Sequence, residues 1–336
     1  MEALEGMLNK CPLKGTDDFL RLTELVAGRP NYGQLNQEEK ARLEEELSIV
    51  CKTNTACVFL FFNDIVRNLK EAGATFHGIA HCSYLCYFLG LTKVDPMLYN
   101  LPFERYFSVN RRHLPQATLV VRKGAKGQAI RYLKQRYGVD KVARLQDSLD
   151  EYVISSKSLL DVGEVKQTIL HAAVGEQAWH EDVVSLTWRE SIALGLYTIL
   201  IQEGEVGLVR RFSEEEIYQR ALEWFEEYKG KEFRVGLKYN GNERVNAIFA
   251  NTDGQYIYQE QFYEICTQIL GVDKEKADVF RKALLLRKKN QVEEMKKLLI
   301  QNIGEEEGLG LFDYIKGQHL HVVSKAYVIG LLFLSL

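Results

Sequence analysis

Hydrophobic and polar positions follow one another along this chain mostly with the 3.6-residue period of a helix. Residues Asn36 to Leu47 read NQEEKARLEEEL, with an Asn in the cap position, acids in the first turn and mixed charges at helical spacing; they predict a solvated helix. ACVFLFFNDIVRNLK, Ala56 to Lys70, starts apolar, continues helix-periodic and is ended by Gly73, which predicts a buried helix. A second buried helix is expected from Ser83 to Leu91, and a turn with a short helix from Asp95 to Phe107. ATLVV, Ala117 to Val121, is short, rich in β-formers and bounded by Pro115 and Gly124, the clearest strand in the sequence. Gly127 to Gly138 then reads as an amphipathic helix with a Gly stop.

The second half is more uniformly helical. From Ala143 to Ile201 the pattern is mixed and mostly helical, and Ser213 to Tyr228 is an acidic helix with a Ser cap. Lys238 to Gly254 is rich in Gly and Asn and reads as turns. Helices are expected again over Tyr258–Leu270, Lys274–Leu286, Gln291–Ile303 and from Phe312 to the end, and no internal repeat is present.

Composition changes this picture little. With 336 residues, 46% hydrophobic and 26% charged, the chain is not a disordered one and has length for two or three cores at roughly 150 residues each. Six cysteines, Cys11, Cys51, Cys57, Cys82, Cys86 and Cys266, and no charged-then-apolar leader fit a reducing cytoplasm with unbridged thiols. The apolar run Ala326–Leu336 is shorter than the ~20 residues of a membrane span, so no membrane is expected and the run reads as a packed or partner-covered helix.

Charge placement says more than the net value of -3. Arg111 to Arg144 holds ten basic residues and one acid, Asp140, and therefore carries +9; Lys274 to Lys297 holds nine basic residues against four acids; Glu203 to Glu227 is acidic. Such blocks are either solvated faces or polyanion-binding surfaces.

Patterns that carry chemistry are few. His77, His81, Cys82 and Cys86 have the residue types of a metal set, but their neighbours Tyr84, Leu85, Tyr87 and Phe88 are core-like, which favours buried thiols. His319 and His321 have the period of a strand face. GxGxxG, P-loop, GxSxG and HExxH motifs are all absent.

A succession of phrases in fixed order is more specific. LNQEEKARLEEELSIV (Leu35 to Val50), FLFFNDIVRNLKEAG (Phe59 to Gly73), SYLCYFLGLTKVDPMLYNLPFERYFS (Ser83 to Ser108) and KQRYGVDKVA (Lys134 to Ala143) resemble the palm of the alpha subunit of bacterial DNA polymerase III, the C-family replicative polymerases. GEVGLVRRFSEEEIYQRAL (Gly204 to Leu222), IYQEQFYEICTQILGVDKEKADVFRKAL (Ile257 to Leu284) and the closing AYVIGLLFLSL resemble successive parts of that family's fingers.

The resemblance implies an α+β, helix-rich fold: a nucleotidyltransferase-like palm with a small mixed sheet over residues 1–145, a shortened thumb or returning palm segment over 146–203, and partial helical fingers over 204–336. It also implies a stripped palm-and-fingers core of a longer enzyme. The family holds two divalent ions on a strand reading P-D-I-D-x-D after its FERF phrase; here Gln116 and Thr118 stand at the first two acidic positions and Val120 at the third. No carboxylate occurs between Glu104 and Asp140. The expectation is thus a protein without catalytic residues, bound metal or cofactor, a pseudo-polymerase in place of an enzyme.

Of the family's nucleotide loop, FHGIAHCS keeps Gly78, Ala80 and Ser83 but has His77 in place of its Arg, and Arg281 and Lys282 match a basic pair in the fingers, giving a degenerate nucleotide site. The implied partner is DNA, primed or duplex, held without sequence preference on Arg111, Arg112, Arg122, Lys123, Lys126, Arg131 and Lys134. Two further readings are an interaction subunit docking a polymerase or other replication protein through Ala326–Leu336, and an active nucleotidyltransferase using Asp64 or Glu104. A cytoplasmic, nucleoid-associated location in a bacterium follows from the resemblance.

Overall fold

The computed structural model describes residues 17–110, 115, 117–121, 125–137, 142–144, 151–155, 168–173, 238–252, 254–319 and 322–333. The chain divides into two compact units, Met1–Trp179 and His180–Leu336, a split that falls within the interval assigned to the thumb.

In the first unit, helix α1 (Asp17–Ala27), which the hydrophobic pattern had not marked, buries Phe19, Leu22 and Val26. Helix α2 (Gln37–Lys52) begins as its sequence predicts: the Asn36 side chain accepts from the Glu39 amide at 2.9 Å, and the Glu39 carboxylate accepts from the Asn36 amide at 2.7 Å. Helix α3 (Ala56–Asn68) turns Val58, Phe59, Phe62 and Ile65 into the core. A short 3-10 turn follows and closes on Gly73 at φ +67°, a left-handed conformation that costs a residue without Cβ nothing.

Next come strand β1 (Thr75–His77), the short helix α4 (Tyr84–Phe88), the single turn α5 (Phe103–Tyr106), strand β2 (Ala117–Val120) and helix α6 (Lys126–Tyr137). Strands β3 (Val142–Arg144), β4 (Glu151–Ser155) and β5 (Thr168–Ala173) complete a mixed sheet of order β1-β2-β5-β4-β3. Only the β2–β5 pair is parallel. The interval Ala143–Ile201, expected to be mostly helical, therefore supplies β4, β5 and the end of β3; its apolar residues fall there in adjacent pairs, Val153 with Ile154 and Ile169 with Leu170, and give no period-2 alternation to read.

Four cysteines, Cys57, Cys82, Cys86 and Cys266, are thiols. Cys51 is not: it is disulfide-bonded, which corrects the expectation that every cysteine is unbridged. Its partner lies outside the described residues.

The long elements of the second unit's described residues are helices: α7 (Glu243–Phe249), α8 (Gln259–Glu264) continued by a π turn over Ile265–Ile269, α9 (Lys274–Leu285), α10 (Lys289–Ile303), α11 (Glu305–Gln318) and α12 (Lys325–Phe333). Val245, Phe249, Tyr256, Phe262, Phe280, Leu299, Leu311 and Ile315 form one buried core. Two expectations change here. The segment read as turns contains α7, capped by the Asn242 side chain on the Arg244 amide. The helix expected from Phe312 onward is two, because Val323 leaves the helix to form a parallel bridge with Tyr258. The acidic stretch Ser213–Tyr228 lies outside the described residues, and among those described no single helix is long and apolar enough to cross a membrane.

Candidate functional site

The strand that the resemblance marks for metal binding is β2, and its register is defined. Thr75 pairs with Val120, Phe76 with Leu119 and His77 with Thr118, while on the other side Thr118 pairs with His171 of β5. Alternation along β2 buries Ala117 and Leu119 and leaves Thr118 and Val120 half-buried on the opposite face. On β2 that face carries the Thr118 hydroxyl and the Val120 methyls where carboxylates were expected. Gln116 lies outside the described residues.

His77 is extended at the end of β1, and the tight turn Gly78–Cys82 folds His81 back over it, Gly78 allowing this with φ +84°. The two ring nitrogens His81 Nε2 and His77 Nδ1 come within 3.3 Å. Burial disfavours charge on both: His77 is lowered to about 4 and His81, with His77 beside it, well below the usual imidazole value. The sequence's candidate metal set is therefore brought together in part, as two neutral imidazoles. Among the described residues no three His, Cys, Asp or Glu side chains are gathered as ligands.

Helix α6 borders this sheet and is purely basic, with Lys126, Arg131, Lys134 and Arg136 and no acid. Ala129 and Leu133 face the core and Arg131 faces solvent. One carboxylate, Asp64 of α3, anchors the helix: its Oδ2 accepts from Tyr137 at 2.5 Å, Tyr132 at 3.1 Å and the Arg136 Nε at 3.2 Å. Burial pushes Asp64 up, but the three donors outweigh it and hold the carboxyl below its ordinary value. Phe61 meets Tyr137 edge-on with ring centroids 4.8 Å apart, completing the seam. Arg111, Arg112, Arg122 and Lys123 lie outside the described residues.

The polar atoms expected to hold a nucleotide have internal partners. Ser83 is fully buried; its Oγ donates to Glu46 at 2.8 Å and accepts from the Cys86 amide at 3.1 Å, capping α4. Glu46, also fully buried, further accepts from the Tyr84 and Leu85 amides at 2.8 and 3.0 Å and from Arg42 at 2.6 Å. Arg281 is buried on Asp278 at 3.0 Å, which also takes Tyr263 at 2.7 Å and Lys282 at 2.5 Å; only the Lys282 side chain is substantially exposed, at 40%. His319 is built into the core as well, its ring nitrogens 3.0 Å from the Tyr256 hydroxyl and 3.2 Å from the Arg281 carbonyl. His321 lies outside the described residues.

The matches to known proteins follow the same two units. The sequence signature of the bacterial DNA polymerase III alpha NTPase domain covers residues 18–166, and that of the bacterial DNA polymerase III alpha subunit finger domain covers residues 222–307. The chain belongs to the bacterial DNA polymerase III alpha family. It is 33% identical over 107 residues (31% of this chain) to the DNA polymerase III subunit alpha of Mycoplasma genitalium, and 32% identical over 136 residues (39%) to that of Halalkalibacterium halodurans. An error-prone DNA polymerase of Mycolicibacterium paratuberculosis is 27% identical over 173 residues, half of this chain. These alignments cover 12–15% of the relatives' lengths.

Within this family frame, the IYQEQ phrase proves architectural. In IYQEQ, Glu260 takes Ser324 Oγ at 3.1 Å and the Lys325 amide at 2.7 Å, capping α12, while Gln261 Oε1 accepts from the Ile257 and Tyr258 amides, both at 2.9 Å. Glu46 plays the matching part in the first unit. Neither anchor stands out in the sequence by chemistry, but Glu46 had a signal: it falls on the apolar stripe Leu43, Leu47, Val50 of α2, where a carboxylate must find donors. The family's two divalent ions do not fit the described residues. Thr118 and Val120 offer one hydroxyl between them, Asp64 is held by three donors of α6 and its flank, and Glu104 is buried close enough to Arg42 to raise the guanidinium's pKa.

Proposed function

We propose that this chain is a polymerase III alpha-like protein that has lost nucleotidyl transfer and serves DNA replication or repair as a sequence-independent DNA-binding or structural accessory factor in the bacterial cytoplasm. The observation that carries this reading is the β2 register: Thr118 and Val120 share one half-buried face of the strand where the family resemblance puts metal-holding acids. Two-metal phosphoryl transfer needs several hard oxygen ligands at that place. The relatives are named as polymerases, so the proposal is a divergence in this chain.

DNA binding is supported by the basic helix α6 with Arg131 turned to solvent, within a sequence block of ten basic residues and one acid. Phosphate contacts of this kind position a duplex without reading bases. With about six such contacts, affinity for primed DNA should fall on the order of a thousandfold between 50 and 200 mM salt. Fluorescence anisotropy on primed, single-stranded and duplex DNA measures this; an affinity indifferent to salt, or no binding at low salt, removes the DNA half of the proposal.

The two other readings lose support. Ala326, Val328 and Ile329 are fully buried, so this part of Ala326–Leu336 offers no apolar surface to a partner. Asp64 and Glu104, the acids proposed for relocated chemistry, are both committed to internal contacts.

A further inference from the structure

The two most exposed large apolar side chains among the described residues are Leu286, at 65%, and Leu98, at 58%. Each sits in surroundings of opposite charge. Leu98 follows Met97 at an open groove of about 520 Å³ lined in part by Glu38, Glu45, Pro96, Met97 and Leu101. Arg42 also lines this groove, but its guanidinium is drawn inward, onto Glu46 at 2.6 Å and the Cys82 and Leu101 carbonyls at 3.0 Å each. Glu38 and Glu45, exposed on one face of α2, are left to set the sign, so the groove is apolar with an acidic rim.

Leu286 stands at the end of α9, where the chain turns sharply into α10. Arg287 takes φ +53°, a left-handed conformation uncommon for a residue with a side chain, and the Lys288 amide closes the turn on the Ala283 carbonyl at 2.9 Å. The turn presents Leu285, 40% exposed, and Leu286 as a projecting pair followed at once by exposed Arg287, Lys288 and Lys289. It is an apolar knob with a basic flank.

We propose that the Leu285–Lys289 turn of one copy of this chain docks in the Glu38/Glu45 groove of a second copy. Leucine enters between Met97, Leu98 and Pro96, and Arg287 to Lys289 meet the carboxylates on the rim. Each copy carries both knob and groove, and in the proposed pairing two copies exchange them. This proposal does not depend on the one above.

Sedimentation of the full-length, tag-free chain over rising concentration tests it. The mass should rise from one chain to two, and the dissociation constant should increase at least tenfold between 50 and 500 mM salt, a reading that needs no variant. Leu286→Asp, Glu45→Arg and Arg287→Glu, all at exposed positions, should each weaken the dimer at least tenfold with the far-ultraviolet circular dichroism unchanged. The double change Glu45→Arg with Arg287→Glu should restore it. A chain that stays monomeric at every concentration, or a dimer indifferent to these variants, overturns the proposal. So does an Arg287→Glu variant that loses DNA affinity while its self-association is unchanged, which would assign the turn to nucleic acid.

Discussion

Glu46 is a carboxylate without solvent exposure that receives four donors from three parts of the first unit: Arg42 on its own helix, the Ser83 hydroxyl, and the first two amides of α4. A buried charge is tolerated when its hydrogen bonds are complete and becomes costly when one partner is removed. Glu46→Ala leaves those donors without an acceptor and should cost about 3 kcal/mol in urea unfolding; a loss below about 0.5 kcal/mol would remove Glu46 from this role. The imidazole pair gives a second prediction at this scale. With His77 at about 4 in the folded chain against 6.5 unfolded, the unfolded state binds the extra proton, so stability is complete above pH 6.5 and falls as pH drops toward 4. His319, lowered to about 4 by burial and by the Arg281 charge, acts in the same direction in the second unit. The loss from His77 alone is about 3 kcal/mol, and His77→Gln should flatten the pH dependence of the first unit's unfolding midpoint. An unchanged slope would contradict burial as the cause.

Among the elements, the seam between α3 and α6 decides how the basic helix is presented. Asp64 holds Tyr132, Tyr137 and Arg136 through one oxygen, so Asp64→Asn should speed amide exchange in residues 126–137 about fivefold while exchange in α2 is unchanged. Equal rates in both proteins would show that packing of Phe61 on Tyr137 suffices. Elements with a single strong pattern were legible in the sequence: the Asn36 cap, the Gly73 stop, strand β2 and helix α6 lie where the residues imply. Those that depend on distant partners were not. Strand β1 is three residues long and exists because β2 pairs with it, β3 to β5 need one another, and α7 hides in a Gly and Asn-rich segment because its Asn242 cap reads locally as a turn. For the candidate site the sequence offers only the absence of acids between Glu104 and Asp140. The inward fate of Ser83 and Arg281 was not legible, because nothing in either residue type announces that Glu46 and Asp278 will claim it.

For the whole molecule, a net charge of -3 hides an acidic stretch and a basic block whose described part includes helix α6. On the proposed reading, a chain with these caps, cores and basic helix α6, and with Thr118 and Val120 on β2, should bind primed DNA and leave it unchanged. Primer extension with the full-length chain tests this most directly. Labelled primer–template, all four deoxynucleoside triphosphates and either magnesium or manganese are incubated with chain whose DNA binding has been measured in the same buffer at 50 mM salt. The account predicts bound primer of unaltered length with either metal. Templated extension abolished by Asp64→Asn or Glu104→Gln would contradict it and make the chain a polymerase with relocated acids.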